Sequence, residues 1–363
     1  MSDKINKESV SRALEFLQKS DMGHHILKSA CGRNFDVREI VVSNWREEDK
    51  RGGWCGRQIF VDEGNNEVSR KDIVLVSNAY EKDPNAKDLF EKSGASNCTE
   101  AFLANLLIHE FNHGKEYNGD TSLMGSMKFS QSDGKRIKST NSNAKTTDEM
   151  VRGVAEESLM EADCRALQFM FAVTEQKEHP EVLRFLEMSH MPTENDNGSY
   201  MKGVDYKKWK QGLLSLDLSK DENRQEASRE IFGMMLGHLT ELYPKIYSNA
   251  YGKEISAPDY GDYFTMISAI YDEKKYGKVE DFVKVIPNLS EEKQELLVAE
   301  IQSKPKKINL QHSFNVVEVG FDTNHNAQIE RLSGINQQEN ISNIQKSELS
   351  TQQVFQKTKE NNR

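Results

Sequence analysis

Leu107-Ile108-His109-Glu110-Phe111-Asn112-His113 carries the pattern His-Glu-x-x-His inside a run with helical periodicity. That periodicity decides what the pattern means. On a helix, residues i and i+4 share a face about one turn apart, so both imidazoles can reach one metal ion. Glu110 then stands beside the metal's open position, where a carboxylate can take a proton from water. Ala101, Phe102, Leu103, Leu106, Leu107 and Phe111 recur at spacings of three and four, and neither proline nor glycine interrupts Glu100 to His113. Asn97 or Thr99 can cap the N-terminus, and Asn118-Gly119 is a stop signal, since both residues tolerate positive φ. The spacing predicts a helix that binds zinc through His109 and His113, with Glu110 as general base. The plainer alternative is a pair of surface histidines on an ordinary amphipathic helix.

Composition narrows the remaining classes. The chain has 363 residues, 36% hydrophobic and 29% charged, with a net charge of −10. No long basic block breaks that acidity, so nucleic acid is not an expected partner. No apolar run reaches the length needed to span a bilayer, and the first residues lack the apolar core of a secretory signal. Cys31, Cys55, Cys98 and Cys164 are widely spread and form no Cys-x-x-Cys pair. They read as reduced thiols of a cytoplasmic protein, neither a disulfide framework nor a thiolate zinc site.

The order of elements predicts an α+β chain. Ser9 to Lys19 reads as a capped helix. Three short β-branched or aromatic runs follow at residues 40–42, 59–61 and 73–76, with Gly52-Gly53-Trp54-Cys55-Gly56 as a turn between the first two. After the motif helix, residues 119–146 are rich in Gly, Ser, Asn, Thr and Lys and read as a long loop. A second strong helix spans about 147–177 and ends at His179-Pro180. Helical patterns follow at 181–189, 206–216, 221–249, 260–271 and 290–301. From Ser303 the composition turns to Asn, Gln, Ser and Lys, and 332–363 is expected to be disordered. This gives a catalytic domain over 1–200, a helical region over 201–302 and a polar tail over 303–363.

Two histidines do not hold catalytic zinc alone, because such sites use three protein ligands. Glu156, Glu157, Glu161 and Asp163 lie among apolar residues of the second helix, where an unpaired carboxylate is costly and needs a partner. A metal is one such partner. Arg152 and Arg165 are the others, at i±4 spacing, and Glu161–Arg165 fits that spacing.

A His-Glu-x-x-His helix, a loop and a later helix with a ligand glutamate resemble the gluzincin metallopeptidases. Glu161-Ala162-Asp163-Cys164-Arg165-Ala166 is similar to the Glu-Ala-Asp-Ala signature of a bacterial metallopeptidase family of unknown substrate. The resemblance covers roughly residues 10–175, and its specific part is confined to His109–His113 and Glu161–Ala166. It implies a zincin-like domain with a small sheet packed on helices, and Glu161 as third zinc ligand. Glu157 remains the alternative: many gluzincins carry an acid four residues after the ligand glutamate, and Glu157-x-x-x-Glu161 has that spacing where Arg165 does not. Asp163, on a different helix face, is then a supporting group.

The expected chemistry is zinc-dependent hydrolysis of peptide (amide) bonds in a peptide or protein substrate. Zinc makes its water acidic, Glu110 takes the proton and later hands it to the leaving amine, and a further donor steadies the oxyanion. His190, Tyr200, Tyr206, Tyr243 and Tyr247 are candidates for that donor. Two other readings stand beside this one. Glu110/His113 and Glu187/His190 are both Glu-x-x-His pairs, as in di-iron carboxylate oxidoreductases, although three strands do not belong in a four-helix bundle. The chain could also be a non-enzymatic interaction protein with a vestigial or structural zinc site. A structural site needs four protein ligands, and the fold could bring Cys164 close enough to be the fourth.

Overall fold

The structure, a computed structural model, describes residues 4–29, 37, 39–43, 52–116, 126–130, 146–190, 206–252, 254–303 and 314–319. The chain opens with α1 (Lys7–Lys19), α2 (Asp21–Ser29), β1 (Glu39–Ser43), β2 (Gly53–Val61) and β3 (Glu67–Ser77). Then come α3 (Ala79–Lys82), α4 (Pro84–Ser93), α5 (Thr99–Glu116), β4 (Ser126–Ser130) and α6 (Thr147–Thr174). The helical remainder is α7 (Pro180–His190), α8 (Tyr206–Ser215), α9 (Asp221–Tyr251), α10 (Phe264–Ile270), α11 (Glu273–Tyr276), α12 (Val279–Phe282) and α13 (Glu291–Ser303), closed by β5 (Asn315–Val319). The architecture is α+β, as the run of strands followed by helices predicts. No described helix is long and apolar enough to cross a membrane.

Local signals explain the main boundaries. Asn6 and Ser9 form a reciprocal capping box at α1, and Thr146 and Glu149 form one at α6, satisfying backbone donors that a bare helix end leaves open. Asp83 caps α4 ahead of Pro84, and Gly94 ends it at φ 82°, a left-handed conformation suited to glycine.

The five strands form one mixed sheet in the order β4-β2-β3-β1-β5. β2 and β3 make an antiparallel hairpin, while β1 pairs in parallel with both β3 and β5, and β4 in parallel with β2. Arg57 and Asp72 face each other across the hairpin and close a two-pronged ion pair, at 2.7 and 3.0 Å. Three expectations are corrected here. Gly53 to Gly56, read as a turn, are the first residues of β2, paired to Val76 through Ile73. β5 lies in the segment assigned to a polar tail; residues 332–363 fall outside the described residues. Most of the loop expected over 119–146 does too, but β4 sits within it.

α5 is the centre of the molecule. It packs on α1, α2, α6, α7, β2 and β3. Residues on every side of it are buried, so the one-faced amphipathic helix expected from spacing is a core helix. Phe102 meets Tyr80, Phe90 and Phe185 at ring-centroid distances of 4.8–4.9 Å, tying α5 to α3, α4 and α7. On its other flank α5 meets α6, which in turn lies along α9.

Candidate metal centre

α5 and α6 meet where the motif predicts a site. The His109 and His113 rings stand one turn apart with centroids 4.7 Å apart, and their Nε2 atoms lie 3.0 Å from each other. α6 brings the Glu161 carboxylate to 3.3 Å from His113 Nε2 and 3.7 Å from His109 Nε2. Donors held about 2.0–2.1 Å from a tetrahedral ion stand roughly 3.3 Å apart. The three separations bracket that value, so the side chains fit a metal ion. Cys164, fully buried one turn beyond Glu161, joins the same place: ligand atoms of His109, His113 and Cys164 all lie within 4.8 Å of one another. This group can bind a metal ion.

The acids of α6 sort by partner. Glu156 pairs with Arg152, Nε to Oε1, at 3.4 Å. Glu157 accepts a hydrogen bond from the Tyr247 hydroxyl of α9. Burial and the charge of Glu161 push Glu157 up to about 8, so it is protonated at neutral pH. Burial works the same way on Glu161, but His109, His113 and Arg165 outweigh it and hold that carboxyl well below the usual range. Arg165 Nε lies 3.3 Å from Glu161 Oε2, so the i+4 ion pair exists together with the contacts to the imidazoles. Glu161 is thus the carboxyl held in its anionic form against the imidazoles, while Glu157 is pushed towards its neutral form and bound to Tyr247. Burial alone would lower His113, yet its hydrogen bond to Glu161 and the surrounding carboxylates raise it.

Asp163 is engaged separately, by α11 on one carboxylate oxygen and by Asn112 of α5 on the other. It is wholly buried, and its Oδ1 receives Lys275 Nζ at 2.5 Å and the Tyr276 hydroxyl, both from α11. Lys275 Nζ also donates to the Asp163 carbonyl at 2.9 Å. The other carboxylate oxygen accepts from Asn112 Nδ2, and that amide lies 3.4 Å from Cys164 Sγ. Asn112 sits inside the motif, so α5, α6 and α11 are joined through one buried carboxylate.

Further side chains shape the site without any signal in the motif. His109 Nδ1 lies 3.0 Å from Gln168 Oε1. Gln168 Nε2 donates to Asn105 Oδ1 at 3.1 Å, and Asn105 Nδ2 donates back to the Gln168 carbonyl at 2.8 Å. With its amide nitrogen committed to Asn105, Gln168 offers His109 an oxygen. The proton thus sits on Nδ1 and the Nε2 lone pair faces Glu161 and His113. Replacing Gln168 by Leu is expected to weaken metal binding about 10–100-fold, read by competition with a chelator. Unchanged affinity would show that Gln168 does not set the ring. His238 of α9 is lowered to about 3 by burial and by Arg165, which leaves a neutral imidazole behind the site.

Glu110 is 5% exposed and approaches the start of β2 so closely that a Cβ at Gly53 would overlap its Oε1. Burial and the charge of Glu110 push the Tyr80 hydroxyl up. Of the candidate oxyanion donors, Tyr243 and Tyr247 lie on α9 alongside α6, and burial with the charge of Glu161 raises Tyr243 well above its ordinary value. Tyr200 and the side chains of His190 and Tyr206 lie outside the described residues. Glu187 is ion-paired to Lys210 of α8. Among the described residues Cys55, Cys98 and Cys164 form no disulfide; Cys31 is outside the described residues. The chain matches no protein-family model, no curated protein and no solved structure.

Proposed function

We propose that the chain is a zinc-dependent hydrolase of peptide (amide) bonds, of gluzincin type, acting on a peptide or protein substrate. The observation that carries this reading is the convergence of His109, His113 and Glu161 at separations suited to one ion, with the carboxylate of Glu110 on the same helix. A purely structural metal site has no use for such a base. Zinc bound there supplies a Lewis acid that makes water acidic and polarises a carbonyl. Each residue then has one task. His109, with its proton fixed on Nδ1 by Gln168, His113 and Glu161 hold the ion. Glu110 accepts a proton from the attacking water and delivers it to the leaving amine nitrogen. Tyr243 of α9, whose hydroxyl lies within the field of Glu161, is the donor for a developing oxyanion, since the Tyr247 hydroxyl is committed to Glu157.

The test is a cleavage-site profile on a proteome-derived peptide library. Untreated protein should produce defined new termini, chelated protein none, and zinc should restore them. A library left intact by the zinc-loaded chain would end the hydrolase reading. The packing of Glu110 adds a finer expectation. The Val76 pairing fixes the backbone of β2 at Gly53, so in Gly53→Ala it is the Glu110 side chain that must move. Displacing a catalytic group by about 1 Å costs on the order of 10²-fold in rate. Turnover should fall by about that factor while bound zinc stays at one ion per chain. Full activity in this variant would show that the Gly53 contact does not position the base.

A further inference from the structure

Cys164 has no task in the hydrolase described above, yet its sulfur shares one small volume with both imidazoles. A nitrogen at about 2.05 Å and a sulfur at about 2.3 Å on a tetrahedral ion stand roughly 3.6 Å apart. The three ligand atoms lie within 4.8 Å of one another, and a rotation of the thiol with a tilt of the rings would bring them to that spacing. The residue is wholly buried, so the thiol faces the protein and not solvent. Asn112 Nδ2, 3.4 Å away, is a donor suited to a sulfur that carries negative charge. Glu161 and Cys164 sit three residues apart on α6, and His109 and His113 four apart on α5, so each helix offers two donors to the space between them.

We propose that in the resting protein the Cys164 thiolate holds the fourth position around the metal, giving a His–His–Glu–Cys set, and withdraws when substrate enters. The proposal rests on the hydrolase reading and adds a latch to it. Four protein donors close a zinc site and make it unreactive, whereas three leave it open. Forming the latch converts S–H to a sulfur–metal bond and releases one proton to solvent. Opening breaks that bond with both electrons remaining on sulfur, which takes a proton back. No oxidation or reduction occurs. The Glu110 base is then idle until the thiolate leaves, so the protein would not hydrolyse indiscriminately at rest.

Zinc-edge X-ray absorption on the full chain decides the matter without relying on activity. The resting protein should show one sulfur neighbour at about 2.3 Å beside nitrogen and oxygen neighbours at 2.0–2.1 Å. Cys164→Ser should lose the sulfur shell and keep one zinc per chain. A simple hydroxamate, which binds zinc through two oxygens, should remove the sulfur shell from the wild-type protein. A wild-type spectrum with nitrogen and oxygen only overturns the latch and leaves the hydrolase intact, and that result stands even if the serine variant fails to fold. A sulfur shell that survives hydroxamate overturns the withdrawal and marks the site as permanently closed. A chain that retains no zinc overturns the latch together with the hydrolase reading beneath it.

Discussion

Glu110→Gln is expected to bind one zinc per chain as the wild type does and to lose about 10²–10⁴-fold in kcat, the contribution typical of a positioned general base. Glutamine has the shape of glutamate, so it fits against Gly53 in the same buried space. It cannot accept a proton there. The proposed ligands are His109, His113 and Glu161, and the substitution touches none of them, so metal analysis of the variant should match the wild type. A large fall in kcat with little change in KM would identify a group that acts on the reacting water and not on substrate binding. Retained turnover would mean that proton transfer runs through another residue, and the assignment of Glu110 would be wrong.

The second large effect concerns stability. Lys275→Met should destabilise the protein by about 3–5 kcal/mol, the usual result of removing one partner of a buried ion pair. Methionine keeps most of the aliphatic stem, so the loss reports the charge and little of the packing. The side chains of Lys275 and Asp163 are 4% and 0% exposed, so no water replaces the lost ammonium. Tyr276 and Asn112 would still donate to Asp163, but two neutral donors do not neutralise a buried carboxylate. Chemical denaturation should show the shift. In the double variant with Asp163→Leu much of the loss should return, because an apolar pair leaves no orphaned charge. A shift below about 1 kcal/mol in the single variant would show that the Lys275–Asp163 pair does not carry this stability.

How much of this was legible in the residues follows from how far each interaction reaches. The pairing of His109 with His113 is encoded within five residues, and a helix is the only regular structure that brings them together. The strands at 40–42, 59–61 and 73–76 were readable for the same reason, from short apolar runs between turn residues. Gly53 to Gly56 misled because glycine favours turns locally, whereas here the absence of a side chain makes room for Glu110, a requirement that arises only once α5 lies over β2. β5 was hidden in polar surroundings, where pairing with β1 outweighs weak local preference. Among the glutamates of α6, spacing alone could not rank Glu157 and Glu161. What separates them is the Tyr247 hydroxyl from α9, ninety residues further along the chain. Gln168 and Lys275 were invisible because both residue types usually face water, and nothing local marks one that is buried.

The last strand bears on how the protein comes into being. β1 is made early, but its outer neighbour β5 arrives only after α13, and Phe314, just before β5, packs on Phe111 beside Glu110 at a ring-centroid distance of 4.8 Å. Until the ribosome has delivered residue 319, one side of β1 carries unpaired N–H and C=O groups, the kind of edge that recruits wrong partners. A contact between residues so distant in sequence also forms slowly. The nascent chain therefore passes through a long period in which its motif helix is made but not enclosed, and a chaperone that shields the β1 edge would raise the yield of folded protein.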